Sequence, residues 1–250
     1  MKYLCRIRYL GTNFAGYQVQ PNARTVQGVL NEAFFSLFGQ KVAVTGCSRT
    51  DSGVHANAFC LTAALDGGNL PLPPERLPLA MQSLLPPDIA LYAATAVDDA
   101  FHPRYDVVSK TYIYRIYNDP IADPMQVGRA RHIRYRLDVD SMNEAAGFFV
   151  GKQDFASFMA QGSKVASTVR TVFESEVTRD GTSITFRVRA DGFLYNMVRI
   201  MVGTLTEVGS GKRAPGDIPH IIAACDRTAA GETAPPDGLY LDKVEYATDF

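Results

Sequence analysis

Between Lys2 and Tyr9 apolar and basic positions alternate, with Tyr3, Cys5, Ile7 and Tyr9 on one side and Arg6 and Arg8 on the other. A period of two predicts a half-buried strand. The period then lengthens: Val26, Val29, Leu30, Ala33, Phe34, Leu37 and Phe38 fall on one helical face, and Thr25 stands where an N-cap belongs. Two strands are expected next, over 41–47 and over 58–65, where Phe59, Leu61, Ala63 and Leu65 alternate. A proline-opened helix around 74–84 and a strand around 89–96 complete the order βαββαβ.

After Pro103 the order returns, with a strand over 108–118, a helix over 140–150 capped by Asp140, and strands over 168–178 and 182–190. Phe193, Met197, Ile200, Met201, Leu205 and Val208 line one side of a helix over 193–208, followed by a short helix over 217–226 and a last strand over 239–246. Each half has the split βαβ, or ferredoxin-like, order. The expected fold is therefore α+β, with a domain of residues 1–103 and another of 104–250. The two join edge to edge in one continuous, mainly antiparallel sheet, leaving helices on one face and a cleft where loops of both halves converge.

A chain of 250 residues with 46% hydrophobic and 20% charged side chains is not disordered and needs no metal or disulfide to hold its core. No stretch approaches the length of an apolar membrane span, and Arg6 and Arg8 interrupt what would be a signal-peptide core, so a cytoplasmic location is expected. Cys5, Cys47, Cys60 and Cys225 lie far apart with no C-x-x-C pair, which argues against a zinc site. The net charge of -1 conceals an uneven distribution. Residues 1–49 carry Lys2, Arg6, Arg8, Arg24, Lys41 and Arg49 against Glu32 alone, residues 102–136 carry seven bases against three acids, and acid gathers between Asp51 and Asp99 and near the C-terminus. Local basic surface for a nucleic acid survives such a total.

Three segments carry candidate chemistry. Gly46-Cys47-Ser48-Arg49-Thr50-Asp51-Ser52-Gly53-Val54-His55-Ala56 is longer than a hairpin needs. Asp51 and Gly53 suit an ordinary turn, yet a carboxylate near the Arg49 guanidinium would also stay ionised and available as a nucleophile. In Lys110-Thr111-Tyr112-Ile113-Tyr114, Tyr112 is either core or a flat ring for stacking a base, with a phenol for proton transfer. Arg199, in Phe193-Leu194-Tyr195-Asn196-Met197-Val198-Arg199, is either a solvated helix residue or the partner of a buried carboxylate.

In this order and spacing, these segments resemble the signatures of the tRNA pseudouridine synthase A (TruA) family: G-x-S/G-R-T-D-x-G-V-H, K-x-Y-x-Y and F-x-x-x-M-V-R-x-x-V-G. The similarity runs from Tyr9-x-Gly11-x-x-Phe14-x-Gly16-Tyr17-Gln18 through Leu85-Pro86-Pro87-Asp88-Ile89 and Phe101-His102-Pro103-Arg104 to Gly238-Leu239-Tyr240-Leu241. One departure is Tyr17, where the family often has tryptophan. The resemblance implies that Asp51 is the nucleophile, that Tyr112 contacts the target uracil, that Arg199 pairs with Asp51, and that Arg49 helps displace the target nucleotide. His55 and Lys110 complete the expected substrate-binding set. It further implies no cofactor and no metal, a homodimer, and uridines 38, 39 and 40 of the tRNA anticodon stem-loop as targets.

Two other classes compete. A tandem RNA-binding module would share the element order, but the aromatic K/R-G-F/Y-G/A-F-V-x-F/Y pattern is absent. A carboxylate-nucleophile hydrolase would need an acid cluster for metal or a glycine-rich phosphate loop, and neither surrounds Asp51.

Overall fold

The computed structural model describes residues 2–66, 68–162 and 165–248. In chain order the strands and α-helices are β1 (Lys2–Tyr9), α1 (Val26–Phe38), β2 (Val42–Gly46), β3 (His55–Leu65), α2 (Leu77–Gln82), β4 (Ile89–Val97), β5 (Val107–Asn118), β6 (Arg131–Ile133), α3 (Val139–Gly147), β7 (Gly151–Asp154), β8 (Val169–Asp180), β9 (Ser183–Ala190), α4 (Met197–Gly209), α5 (Asp217–Ala224) and β10 (Leu239–Tyr246). They fall into two compact units, one of residues up to Val108 together with those from Tyr240 on, the other Ser109–Leu239. Both are mixed α+β with mostly antiparallel pairing.

In the first unit β1 runs antiparallel along one side of β3, from Tyr3 opposite Ala63 to Tyr9 opposite Ala56. β4 lies along the other edge of β1, from Val97 opposite Lys2 to Ile89 opposite Tyr9. The short β2 covers the second side of β3 only from Leu61 to Leu65. The start of β3 would be left with bare N–H and C=O groups, which an interior does not tolerate. Parallel pairing of Tyr240 and Leu241 in β10 with His55 and Ala56 satisfies them. Although last in the chain, β10 is therefore built into the first unit from Tyr240 onward. The same pairing starts β3 at His55 rather than at 58 and shortens the polar connection before it to 47–54.

Helix α1 begins where expected. The Thr25 hydroxyl accepts the Gly28 N–H at 3.2 Å. The Val26 and Gln27 N–H groups, which have no acceptor inside the helix, donate to the carbonyls of Gly16 and Tyr17 at 3.2 and 2.9 Å. Its start is thus spliced to residues 16 and 17. Val26, Leu30, Ala33 and Phe34 form the buried stripe, and each fully buried large side chain contributes about 1.5–3 kcal/mol.

In the second unit β5 pairs antiparallel with β9 from Lys110–Ala190 to Tyr117–Ser183, β9 with β8, and β8 with β7 from Gly151–Val172 to Asp154–Val169. β6 runs parallel to the end of β5, Arg131 opposite Ile116. Neither β6 nor β7 was expected, because three or four mostly polar residues show no period and owe their form to a neighbour's exposed edge. The cap of α3 is Asp138 and not Asp140: the Asp138 carboxylate accepts the N–H groups of Asp140 and Ser141, leaving Asp140 in the first turn. The Ser141 hydroxyl, which donates to the same carboxylate, and then those N–H bonds lower the Asp138 pKa. Helix α4 starts at Met197 and not at 193, because Asn196 sits in the left-handed region at φ 59° and breaks the run. Nearly every residue of α4 is buried, the mark of a helix enclosed on all sides.

Candidate active site

Asp51 is half-buried in the connection from β2 to β3. Its main chain is gripped by the segment that follows β1. Tyr17 N–H donates to Thr50 O at 3.1 Å, Gly53 N–H donates to Phe14 O at 3.2 Å, and Val54 N–H closes a turn onto Asp51 O at 3.2 Å. The Ser52 hydroxyl adds a bond to Phe14 O at 3.3 Å, and the Tyr9 and Thr50 hydroxyls meet at 2.8 Å. Only glycine permits this approach. A Cβ on Gly11 would lie 2.0 Å from Val54 O, and one on Gly16, at φ +89°, would lie 2.6 Å from Thr50 O. Gly53 supplies the positive φ of the turn, 81°.

Arg49, two residues before Asp51, is exposed, and its guanidinium has no hydrogen bond or ion pair among the described residues. A carboxyl group and an unengaged guanidinium therefore stand two residues apart on one loop. Other bases of the N-terminal run are committed to structure. Lys2 donates to Phe101 O at 3.0 Å, and Arg24 pairs with Asp88 at 3.0 Å while covering the Phe14 ring.

His55 does not share the surface with them. Its ring is 0% exposed, its Nδ1 accepts the Gly11 N–H at 2.9 Å, and it stacks on Tyr240 with centroids 4.5 Å apart. The ring is thus enclosed rather than presented on the loop, where substrate binding was expected of it, because β3 begins at His55, three residues before the expected start at 58.

In the second unit Tyr112 lies on β5 opposite Val188. It is 7% exposed and meets Phe193 edge to face, with centroids 5.0 Å apart and planes at 83°. The left-handed Asn196 makes this contact available, since it keeps Phe193 out of the helix. Lys110 is half-buried on the same strand, opposite Ala190. Arg199 is no solvated helix arginine. Its Nε donates to Ala234 O at 2.7 Å, its Nη1 to Asn196 Oδ1 at 2.9 Å, and its own carbonyl accepts the Ala234 N–H at 3.0 Å.

Periodicity missed the strap that orients Arg199. Gly231 N–H donates to the buried Thr204 hydroxyl at 2.9 Å, Arg227 holds Gly231 O and the Thr233 hydroxyl, and the Tyr114 hydroxyl donates to Pro235 O at 2.8 Å. Burial raises the Tyr114 pKa, keeping it a donor. Gly203 lets the strap touch α4, since a Cβ there would meet Glu232 O at 1.8 Å. The available signal was the Gly231 and Pro235-Pro236-Asp237-Gly238 punctuation before β10.

Among the described residues no group of three or more His, Cys, Asp or Glu side chains is placed to hold a metal ion, and no helix is long and apolar enough to cross a membrane. The profile of a family described as tRNA pseudouridine synthase matches residues 6–106 and 145–247. The chain is 46% identical over 241 residues to tRNA pseudouridine synthase A of Ruminiclostridium cellulolyticum, covering 96% of this chain and 97% of that protein. It is 45% identical to the protein of the same name from Bacillus pumilus, covering 98% and 99%, and 44% identical to that of Brevibacillus brevis, covering 97% and 98%. Among solved structures it is similar to a chain of a Cbf5–Nop10–Gar1 complex at 12% identity and a TM-score of 0.36, covering 82% of this chain and 45% of that one.

Tyr17, the departure noted in the sequence, is an interior residue. It stacks on Phe59 at 4.3 Å, and a Cβ on Gly46 would come within 2.6 Å of its ring. Its buried hydroxyl has no hydrogen-bond partner among the described residues, and burial raises its pKa. A buried hydroxyl without a partner forfeits its bonds to water. Tyr17→Phe is therefore expected to stabilise the protein by about 1 kcal/mol in urea unfolding, with modification activity unchanged; a loss of activity would mean that the hydroxyl reaches RNA.

Proposed function

The chain belongs to the tRNA pseudouridine synthase family, and on that footing we propose that it isomerises uridine to pseudouridine at positions 38, 39 and 40 of the tRNA anticodon stem-loop. The observation that carries the reading is Asp51, an aspartate on a loop whose backbone is clamped by residues 11–17 while Arg49 beside it stays unengaged. In the reaction the N1–C1′ bond breaks, uracil turns, a C5–C1′ bond forms, and the proton lost from C5 is matched by one gained at N1. Asp51, ionised, attacks C1′ or the base, or assists elimination to a glycal. Before that the uridine is flipped from the stem at a cost of a few kcal/mol, which aromatic contact and an inserted guanidinium offset. Arg49 takes the displacing role, and Tyr112 contacts the freed base and takes up the C5 proton as its own phenolic proton passes by way of solvent to N1. Lys110 assists in holding substrate, and Arg199 is the ionic partner of Asp51. The working form is a homodimer in the cytoplasm, with one tRNA reaching both subunits and neither metal nor cofactor required.

With tRNA tritiated at uridine C5 and a chelator present, the wild type is expected to release tritium and Asp51→Asn to release none while still binding tRNA. Release by the variant would remove Asp51 from the nucleophile's place. Tyr112→Phe is expected to slow product formation by about 10²-fold or more, the range of a lost general base. An unchanged rate would discard the phenol as proton acceptor.

Three adjacent targets with different flanking sequences call for recognition of shape and backbone rather than base edges. Binding of tRNA should then weaken steeply with salt, the logarithm of the binding constant falling linearly with the logarithm of salt concentration. Changing the neighbouring base pairs should matter little. Salt-insensitive binding in filter or fluorescence titrations would contradict this.

A further inference from the structure

We propose that His55 is a positioning residue for the Asp51 loop, acting through the N–H of Gly11; the proposal rests on Asp51 being the nucleophile. The need for an acceptor arises at the end of β1. Leu10 N–H is taken by Asp88 O at 2.9 Å, and the next N–H, that of buried Gly11, points inward to His55 Nδ1 at 2.9 Å. An imidazole nitrogen that accepts carries no proton, so this bond exists only for the Nε2–H neutral ring. The Tyr240 ring, stacked at an interplanar angle of 23°, holds the imidazole plane in place.

Gly11 is the hinge of the clamp. Its Cα lies so close to Val54 that an added Cβ would be 2.0 Å from the Val54 carbonyl oxygen. From there the chain runs to Phe14 O, which accepts from Gly53 N–H and the Ser52 hydroxyl, and to Tyr17 N–H, which donates to Thr50 O. His55 thus fixes the near end of the segment whose far parts grip both sides of Asp51. Losing the acceptor leaves a buried N–H unsatisfied and frees Gly11 to shift, and a displacement near 1 Å at a reacting group lowers turnover by about 10²-fold.

Two substitutions separate this role from simple core filling. In His55→Asn the amide oxygen occupies the place of Nδ1 and keeps the acceptor but loses the ring. In His55→Phe the ring stays against Tyr240 but the acceptor is gone. The proposal expects His55→Asn to keep kcat within about threefold of wild type even with a lowered Tm, and His55→Phe to lose on the order of 10²-fold in kcat with KM for tRNA nearly unchanged. Tyr240→Leu, which removes the stack and spares the acceptor, should follow the asparagine variant and keeps the test available if His55→Asn fails to fold. A phenylalanine variant with wild-type kcat, or acceptor-retaining variants that fall as far as it does, would overturn the proposal. An active Asp51→Asn enzyme would instead overturn the reading on which it stands.

Discussion

The organisation of the first unit depends on a close main-chain approach between residues 11–17 and 50–54. Gly53 N–H to Phe14 O and Tyr17 N–H to Thr50 O are ordinary bonds in length, each worth about 0.5–1.5 kcal/mol net. What makes them possible is the absence of side chains at Gly11 and Gly16, where a methyl group would overlap a carbonyl oxygen. The same segment receives the first N–H groups of α1, so strand β1, helix α1 and the aspartate loop are joined through one short stretch of backbone. The main chain that carries Asp51 is held by peptide groups, which have far less freedom than side chains.

The second unit orients its arginine by another route. Arg199 emerges from a helix buried on nearly every side, and a loop from Arg227 to Gly238 crosses that helix and takes the Nε proton on Ala234 O. The loop is held by hydrogen bonds to the Thr204 and Tyr114 hydroxyls, both buried. The ion pair between Arg131 and Glu232 contributes little to this, because the Glu232 side chain is 63% exposed and its charge is screened by water.

Charge distribution acquires a different meaning once the partners are known. The basic excess of the first 49 residues looks like a surface for phosphate, yet Lys2 and Arg24 hold neighbouring segments, and Arg8 lies over the Tyr92 ring at 4.4 Å. Arg49 keeps an exposed guanidinium without a partner among the described residues. A local count of charges states how many cations are present; their commitments depend on residues as far off as Asp88 and Phe101.

Hydrophobic period alone determined most elements, from β1, α1 and β4 to β8, β9 and β10, because alternation and helical spacing are properties of consecutive side chains. The aspartate, tyrosine and arginine segments were equally legible, since their motifs are local. Tertiary structure decided what a residue does when its partner is remote in the chain. It turned His55 from loop to core through Tyr240, brought β10 to β3, stopped α4 short at a left-handed Asn196, moved the cap of α3 to Asp138, and created β6 and β7 along edges that needed pairing. The physical reason is common to most of these cases: buried N–H and C=O groups must be satisfied, and which distant group satisfies them is not written in the spacing of neighbouring residues.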